Sequence, residues 1–386
     1  MTEEAGSPRR RITVHERVPD WSPLVASDNP FLEPAFLSGL ERSGAVGAEA
    51  GWVGRHLVAE EAGRLVAALP TYLRGDSWGE YVFDHGWANA AHRAGLRYYP
   101  KLTSAIPFTP AAPGRVIGDP AAIPALAEAA RLLAQRVSAS GHHVLFVTEA
   151  EAAAFAAEGY AVRVGLQFHW TDDGYGDFDG FVGRLTSRRR KELLRERRQV
   201  REAGVEVRTQ RGDELSAPEW AAFERFYRQT HAEHGNPGYL PPAWWRDELP
   251  RLAPYVVAVL ARRNGVPIAG TLNFTKGDAL YGRYWGADEE VRGLHFEACY
   301  HALVEWALAN GVRRVEAGAQ GEHKLQRGFL PHLTRSVHRL YHPGLHEAVA
   351  DFCAREGEAI RAGVAEYAEH SPFAATTPPP QDPRRS

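Results

Sequence analysis

The sequence predicts an α/β (α+β) protein of two tandem units, each a mixed, mostly antiparallel sheet flanked by helices. Three observations carry this expectation. Two hairpin-like segments read alike at a constant offset of 202 residues: Gly63-Arg-Leu-Val-Ala-Ala-Leu-Pro-Thr-Tyr-Leu-Arg-Gly-Asp76 and Gly265-Val-Pro-Ile-Ala-Gly-Thr-Leu-Asn-Phe-Thr-Lys-Gly-Asp278. Each is followed by a long amphipathic segment that runs up to a glycine, the usual end of a helix. After each glycine come a short apolar strand, a short helix and a closing strand.

In the first unit, taken as residues 12–170, the expected elements begin with a strand from Trp52 to Glu60. The hairpin and a third strand from Tyr81 to Asp84 follow. A helix from Ile123 to Ser140 is capped by Gly141, and strands from Val144 to Thr148 and from Ala161 to Trp170 bracket an Ala-rich helix. In the second unit, 171–368, the counterparts are strands from Tyr255 to Arg262 and from Leu280 to Gly286. A helix from Leu294 to Asn310 ends at Gly311, and strands from Val315 to Ala319 and from Thr334 to Tyr341 complete the unit. Residues 1–11 and the Pro-rich 369–386 are expected to be disordered.

Composition narrows the function. With 44% apolar and 24% charged residues the chain reads as a soluble globular protein. No apolar run approaches the ~18 residues of a membrane span, and the N-terminus lacks the apolar core of a signal peptide. Two cysteines in 386 residues make no disulfide framework, so a cytoplasmic location is expected. A net charge of −3 gives no global case for nucleic acid.

The densest chemistry lies in Glu316-Ala-Gly-Ala-Gln-Gly-Glu-His-Lys-Leu-Gln-Arg-Gly-Phe329. Only four of the 45 Lys and Arg residues are lysine, and Lys324 is one of them. In a chain that prefers arginine, a retained lysine points to ammonium chemistry that guanidinium does not supply. The equivalent stretch of the first unit, Glu149 to Tyr160, has alanines instead. A short helix would set His323, Lys324 and Arg327 at the end of the strand holding Glu316. Lys324 then reads as an electrostatic stabiliser of a transferring acyl group or a clamp on a donor phosphate; otherwise the helix is a surface salt-bridge set. Glu316, in apolar sequence, would have a raised pKa and suit a general base for an amine, unless it pairs with Arg283 or Arg313. Tyr281, Arg283 and Tyr284 would wall the site. In the first unit, Asp84, Tyr99 and Lys101 stand among Trp78, Trp87 and Tyr98 as a candidate substrate groove or an aromatic core. The spacing His295-x-Glu-x-x-x-His301 is wrong for zinc, so no metal is expected. Cys299 reads as core.

A basic helix opens the second unit. Residues 188–201 carry eight basic and two acidic side chains. Arg188, Arg189, Arg190 and Lys191 lead it, as a candidate phosphate contact or a merely solvated face.

The order of elements resembles the GNAT acyltransferase fold, and the tandem pair resembles the FemABX aminoacyltransferases. Ser77-Trp-Gly-Glu-Tyr-Val-Phe-Asp84, Tyr98-Tyr-Pro-Lys-Leu102, Pro107-Phe-Thr-Pro110, Gln167-Phe-His-Trp170, Leu280-Tyr-Gly-Arg-Tyr-Trp-Gly286 and the Glu-His-Lys run are similar to the FemAB-like "peptidoglycan biosynthesis/recognition" group. The resemblance spans roughly residues 20–365. It implies transfer of an acyl or aminoacyl group onto a small-molecule or peptide amine, with acyl-CoA or aminoacyl-tRNA as donor substrate and no bound cofactor. It also implies a Lys in the short helix of the second unit, here Lys324. A GNAT pyrophosphate would sit at Arg292, Gly293, Leu294 and His295, but the further glycines of that loop are missing. The charge of the basic helix suits a tRNA acceptor stem, a diphosphate-linked lipid or an anionic membrane surface, and the resemblance, which implies a basic helix at this place, favours phosphate. The rival expectation is a recognition module without catalysis, holding a peptide or cell-wall ligand between the units.

Overall fold

The computed structural model describes residues 10–25, 28–112, 114–233, 235–236, 238–318 and 322–374. The first half contributes strands β1 (Arg11–His15), β2 (Trp52–Gly54), β3 (His56–Glu61), β4 (Arg64–Leu69), β5 (Thr71–Arg74), β6 (Lys101–Ser104), β7 (Ile117–Gly118), β8 (Gly141–Val147) and β9 (Ala161–Thr171). The second half contributes β10 (Glu206–Arg211), β11 (Val256–Arg263), β12 (Val266–Lys276), β13 (Ala279–Ala287), β14 (Arg314–Glu316) and β15 (Leu330–Leu340). The two halves are tandem GNAT-like units: the second runs meander, helix, strand, short helix and strand, while the first has an extra helix and the strands β6 and β7 ahead of its long helix.

Both hairpins turn on two left-handed residues, Ala62–Gly63 and Asn264–Gly265, with φ of 49° and 75° and of 52° and 80°. Such turns match the twist of the strands they join, which is the physical content of the sequence repeat. The third strand expected from Tyr81 to Asp84 does not form. Gly79 and Tyr81 have φ of 82° and 59°, so the chain cannot extend there. It inserts the helix His85–Arg93 instead, and β6 takes the place beside β5. The helix Ile123–Val137 stops short of the expected glycine, with Ser138 in the left-handed cap at φ 53°. Gly141 begins β8, where a Cβ would lie 2.6 Å from the Arg339 carbonyl oxygen. Helix 294–309 runs up to Gly311, whose φ is 70°. The strand expected from Val315 to Ala319 is the shorter β14, and Ala319 itself lies outside the described residues.

Eleven strands form one sheet in the order β10-β11-β12-β13-β14-β9-β15-β8-β6-β5-β2. Each unit's last strand therefore sits in the other's half. β9 pairs with β14 and β15, while β15 pairs with β9 and β8, all antiparallel. The boundary expected after residue 170 falls at the end of a strand shared with the second unit. A buried histidine pair, His143 on β8 and His338 on β15, joins Nδ1 to Nδ1 at 2.8 Å across the exchange. The largest apolar core also spans both halves, packing Phe31, Phe36 and Trp52 with Phe223, Trp244, Phe274 and Tyr281. Arg10 and the residues up to Ala374 belong to the fold rather than to disordered ends: Arg10 pairs with Glu61, and Phe373 stacks on Tyr175. Residues 1–9 and 375–386 lie outside the described residues. Among the described residues no helix is long and apolar enough to cross a membrane.

Candidate active site at the end of β14

β13 and β14 run parallel but pair only over Ala279–Tyr281 and Arg314–Glu316. β13 then continues to Ala287 while β14 stops, so the sheet opens at Glu316. Glu316 is 4% exposed. Its Oε2 accepts the Ala112 amide at 3.1 Å, and its Oε1 lies 3.3 Å from Arg314. Burial outweighs the nearby arginines Arg314, Arg115 and Arg283 and pushes the carboxyl up to about 7. The partner is thus Arg314 rather than the Arg283 or Arg313 expected from sequence. Arg283 instead donates to the Phe108 carbonyl. Tyr281 is closed in the core, its hydroxyl donating to the Asp28 carbonyl at 3.1 Å. Tyr284 packs edge-on against Tyr227 and Trp245.

Beyond β14 the short helix is a 3₁₀ turn, Glu322–Arg327. Lys324 is 3% exposed and folds back so that Nζ donates to the Gly318 carbonyl at 2.7 Å. That carbonyl lies two residues past Glu316 in the chain. Burial drives the ammonium down to about 8. Among the described residues no carboxylate pairs with it. His323 turns the other way: it is exposed, and its Nε2 meets the Tyr300 hydroxyl at 3.0 Å. Arg327 stacks on Phe296, 3.4 Å from the ring centre, and donates to Glu196 at 2.6 Å. The structure therefore ties Lys324 to the backbone two residues past Glu316 and sets His323 and Arg327 aside. Glu322 is described only as backbone, and Gln320 and Gly321 lie outside the described residues.

At the expected pyrophosphate site the basic helix backbone packs close to Gly293, while Gly293 and His295 stay half-buried. Gly293 opens helix 294–309 at φ 84°, and a Cβ there would sit 3.3 Å from the Glu196 carbonyl oxygen. Leu294 is buried and Arg292 is exposed. His295 packs edge-on against Trp285 and is pushed down to about 4, mainly by burial. Cys299, also on this helix, has its thiol pushed up to about 12 by burial, which leaves little thiolate.

The basic helix, Ser187–Glu202, turns its Glu196 inward to hold Arg327 and His301, at 2.6 and 2.8 Å. That leaves Arg188, Lys191, Arg195 and Arg198 as an exposed stripe. Arg189 departs from it to reach Glu192 and Gln326, and Arg190 is half-buried.

In the first unit, Lys101 and Asp84 do not face a groove. Lys101 is wholly buried and donates to Ser77 and Glu80 at 2.8 Å each and to Asp84 at 2.5 Å. Tyr98 also donates to Asp84, at 2.7 Å, and Tyr99 shares a hydrogen bond with Ser77. Burial opposes the Lys101 charge, but Glu80 and Asp84 hold the ammonium above its ordinary range. This closed ion cluster braces the loop that replaces the third strand.

Sequence reasoning missed His169. It lies opposite Glu316 across the β9–β14 pairing, with Nε2 3.9 Å from Glu316 Oε2. The Gln167-Phe-His-Trp run was visible, but its place beside β14 depends on the strand exchange.

A FemAB-like family model, described as peptidoglycan biosynthesis/recognition, matches residues 14–375. No curated protein matches the chain in sequence. The C-terminal domain of a putative lysylphosphatidylglycerol synthetase from Agrobacterium fabrum is similar over 86% of this chain and 94% of its own, with TM-score 0.53 and 8% identity. L-PGS from Bacillus licheniformis is similar over 88% and 98%, with TM-score 0.53 and 10% identity. FemX is similar over 78% and 92%, with TM-score 0.50 and 10% identity. At these identities the likeness is one of fold.

Proposed function

This chain belongs to the FemAB-like family of peptidoglycan biosynthesis/recognition, and on that premise we propose that it transfers an acyl or aminoacyl group onto an amine. The observation that carries the reading is Lys324, a buried ammonium held by a backbone carbonyl with no carboxylate partner among the described residues. An uncompensated buried cation is costly, so its retention fits a group that meets negative charge only when substrate is bound. Transfer to an amine creates that charge as the carbonyl oxygen becomes an oxyanion. Lys324, still largely protonated at neutral pH with a pKa of about 8, is the stabiliser. Glu316, with a carboxyl near 7, is the base or orienting group for the attacking amine. No covalent enzyme intermediate is needed, since positioning supplies much of the remaining rate.

The missing loop glycines ahead of helix 294–309 and the exposed cationic stripe favour aminoacyl-tRNA over acyl-CoA as donor. The names of the similar structures, which include lysylphosphatidylglycerol synthetases, are in keeping with an aminoacyl donor. The depth at which Glu316 and Lys324 lie supports the rival, a recognition module that holds a ligand without turnover. A mass-shift screen of acyl-CoA and aminoacyl-tRNA donors against amine acceptors separates them. Lys324→Ala is expected to fold and to lose about 10²–10³ of the turnover. Unchanged turnover in a folded Lys324→Ala protein sinks the catalytic reading.

A further inference from the structure

Gly165 on β9 and Thr334 on β15 stand opposite each other in the exchanged strand pair. A cavity of about 190 Å³ lies against that pair, walled by Tyr81, Val82, Phe83 and Phe146 and bounded by Ile360 of the C-terminal helix Pro343–Glu369. Both units contribute to it. Gln167 lines it too, and two residues further along β9, about 7 Å of strand, His169 stands opposite Glu316.

Two of its aromatic walls have unusual backbones. Ala62 and Asn264 take positive φ in hairpin turns, and Ser138 takes it in a helix cap. Tyr81 and Phe146, at φ 59° and 58°, serve neither purpose. Phe146 belongs to a β-bulge: between Val144, opposite Val337, and Val147, opposite Arg335, β8 has two residues where β15 has only Ser336. A bulge re-aims a side chain, and left-handed backbone is costly for any residue with a Cβ. Both strained residues line the same cavity. Strain of this kind concentrates where a ligand is held.

The floor is shaped by an absence of side chain. A Cβ on Gly165 would lie 2.7 Å from Thr334 Oγ1, so glycine leaves that hydroxyl standing over bare backbone. Thr334 is 8% exposed, and among the described residues no hydrogen bond takes its hydroxyl.

The charged groups around it are already paired. Arg163 donates to both Glu356 oxygens, at 2.6 and 2.9 Å, and Arg335 reaches Glu149 at 3.1 Å. The Gln167 amide is taken by the Pro110 carbonyl and His169, at 2.9 and 3.0 Å, and Ser336 meets His338 at 2.8 Å. A charged ligand would lose water here and find no free counter-charge. Size completes the description: a cavity of roughly 150 Å³ holds benzene, so this one takes a ring with a short substituent.

We propose that this cavity binds an uncharged aromatic ring bearing a hydroxyl or similar hydrogen-bonding group, which meets Thr334 Oγ1. The proposal rests on the transferase reading only in making that ring part of a substrate.

The test is saturation-transfer NMR of benzyl alcohol titrated with the full chain. The expected result is a saturable signal from the ring protons. Toluene, which lacks the hydroxyl, should bind about two- to tenfold more weakly. Benzoate and benzylammonium should bind at least about tenfold more weakly. Thr334→Val, which keeps the shape and removes the hydroxyl, should bring benzyl alcohol down to the affinity of toluene. Ile360→Trp should fill the cavity and abolish the signal at an unchanged melting point. Should that variant not fold, Val82→Trp fills it from the loop side. No saturable signal, a signal that survives in the filled variant, an unchanged affinity in Thr334→Val, or equal binding of either charged probe overturns the proposal. The titration needs no acyl donor, so binding without transfer overturns the transferase reading alone. Transfer without this binding overturns the present proposal alone.

Discussion

At the scale of single residues, Glu316 and Lys324 are displaced in opposite directions from their ordinary pKa values by the same cause, burial. Their effects on stability have opposite signs. Glu316 is raised, so the stability linked to its titration is fully present below its unfolded value of 4.5 and is lost as pH rises through about 7. Glu316→Gln should therefore be more stable than the native chain above pH 7, by on the order of 3 kcal/mol, while losing about 10²-fold in turnover. Native turnover should rise with pH through about 7 as the base is unmasked. Parallel pH series of melting and of turnover check both, and a flat rate profile contradicts Glu316 as base. Lys324 is lowered, so its linked stability is present above 10.5 and is lost as pH falls through about 8. Lys324→Met should raise the melting point at pH 7, gaining on the order of 1–3 kcal/mol, though it abolishes the proposed chemistry. A lower melting point would mean the lysine is structural. The sequence exposed both residues because each was out of keeping with its surroundings. It gave no view of His169's partners, because a strand sequence does not say which strand will lie beside it.

Among the elements, the helix Ser187–Glu202 was legible as basic, while its orientation was not. Of its three acidic residues, Glu196 is inside, Glu192 pairs with Arg189 and Glu202 with Arg198. Removing Arg188, Lys191, Arg195 and Arg198 together, as serines, should leave melting nearly unchanged. For tRNA binding, the slope of log affinity against log salt should fall by about 3. A slope that stays put means the stripe does not meet phosphates. Elsewhere, glycine as a helix stop was a sound expectation at Gly311 but not in the first unit. There Ser138 takes the left-handed cap because Gly141 is needed where β8 passes close to Arg339. Ser138→Gly should stabilise the protein by about 0.5–1 kcal/mol, measurable by urea unfolding. The missing third strand of the first unit shows the same limit. Residues Tyr81 to Asp84 have strand composition, but Asp84 is bound into the Lys101 ion cluster instead.

For the whole molecule, the duplication was legible from periodicity and turn residues, because hairpin turns and helix stops are local. The exchange of final strands was not, because it is a choice between two equally apolar neighbours. Each half alone lacks a partner for one long strand. Residues 12–170 expressed alone should leave β9 without β14 and β15, and should be recovered as aggregate or as an unfolded chain. Recovery as a folded monomer with native-like protection of β9 from hydrogen exchange contradicts this.

The exchange also orders events in time. On the ribosome the first half emerges complete through residue 171, yet the strand that fills the gap between β8 and β9 ends at Leu340. During synthesis of the intervening residues, at about 5–20 per second, the older half waits for a neighbour it does not encode. Slowing translation anywhere between codons 171 and 340 should lengthen that exposure and increase the demand for chaperones. Slowing it after codon 340 should not.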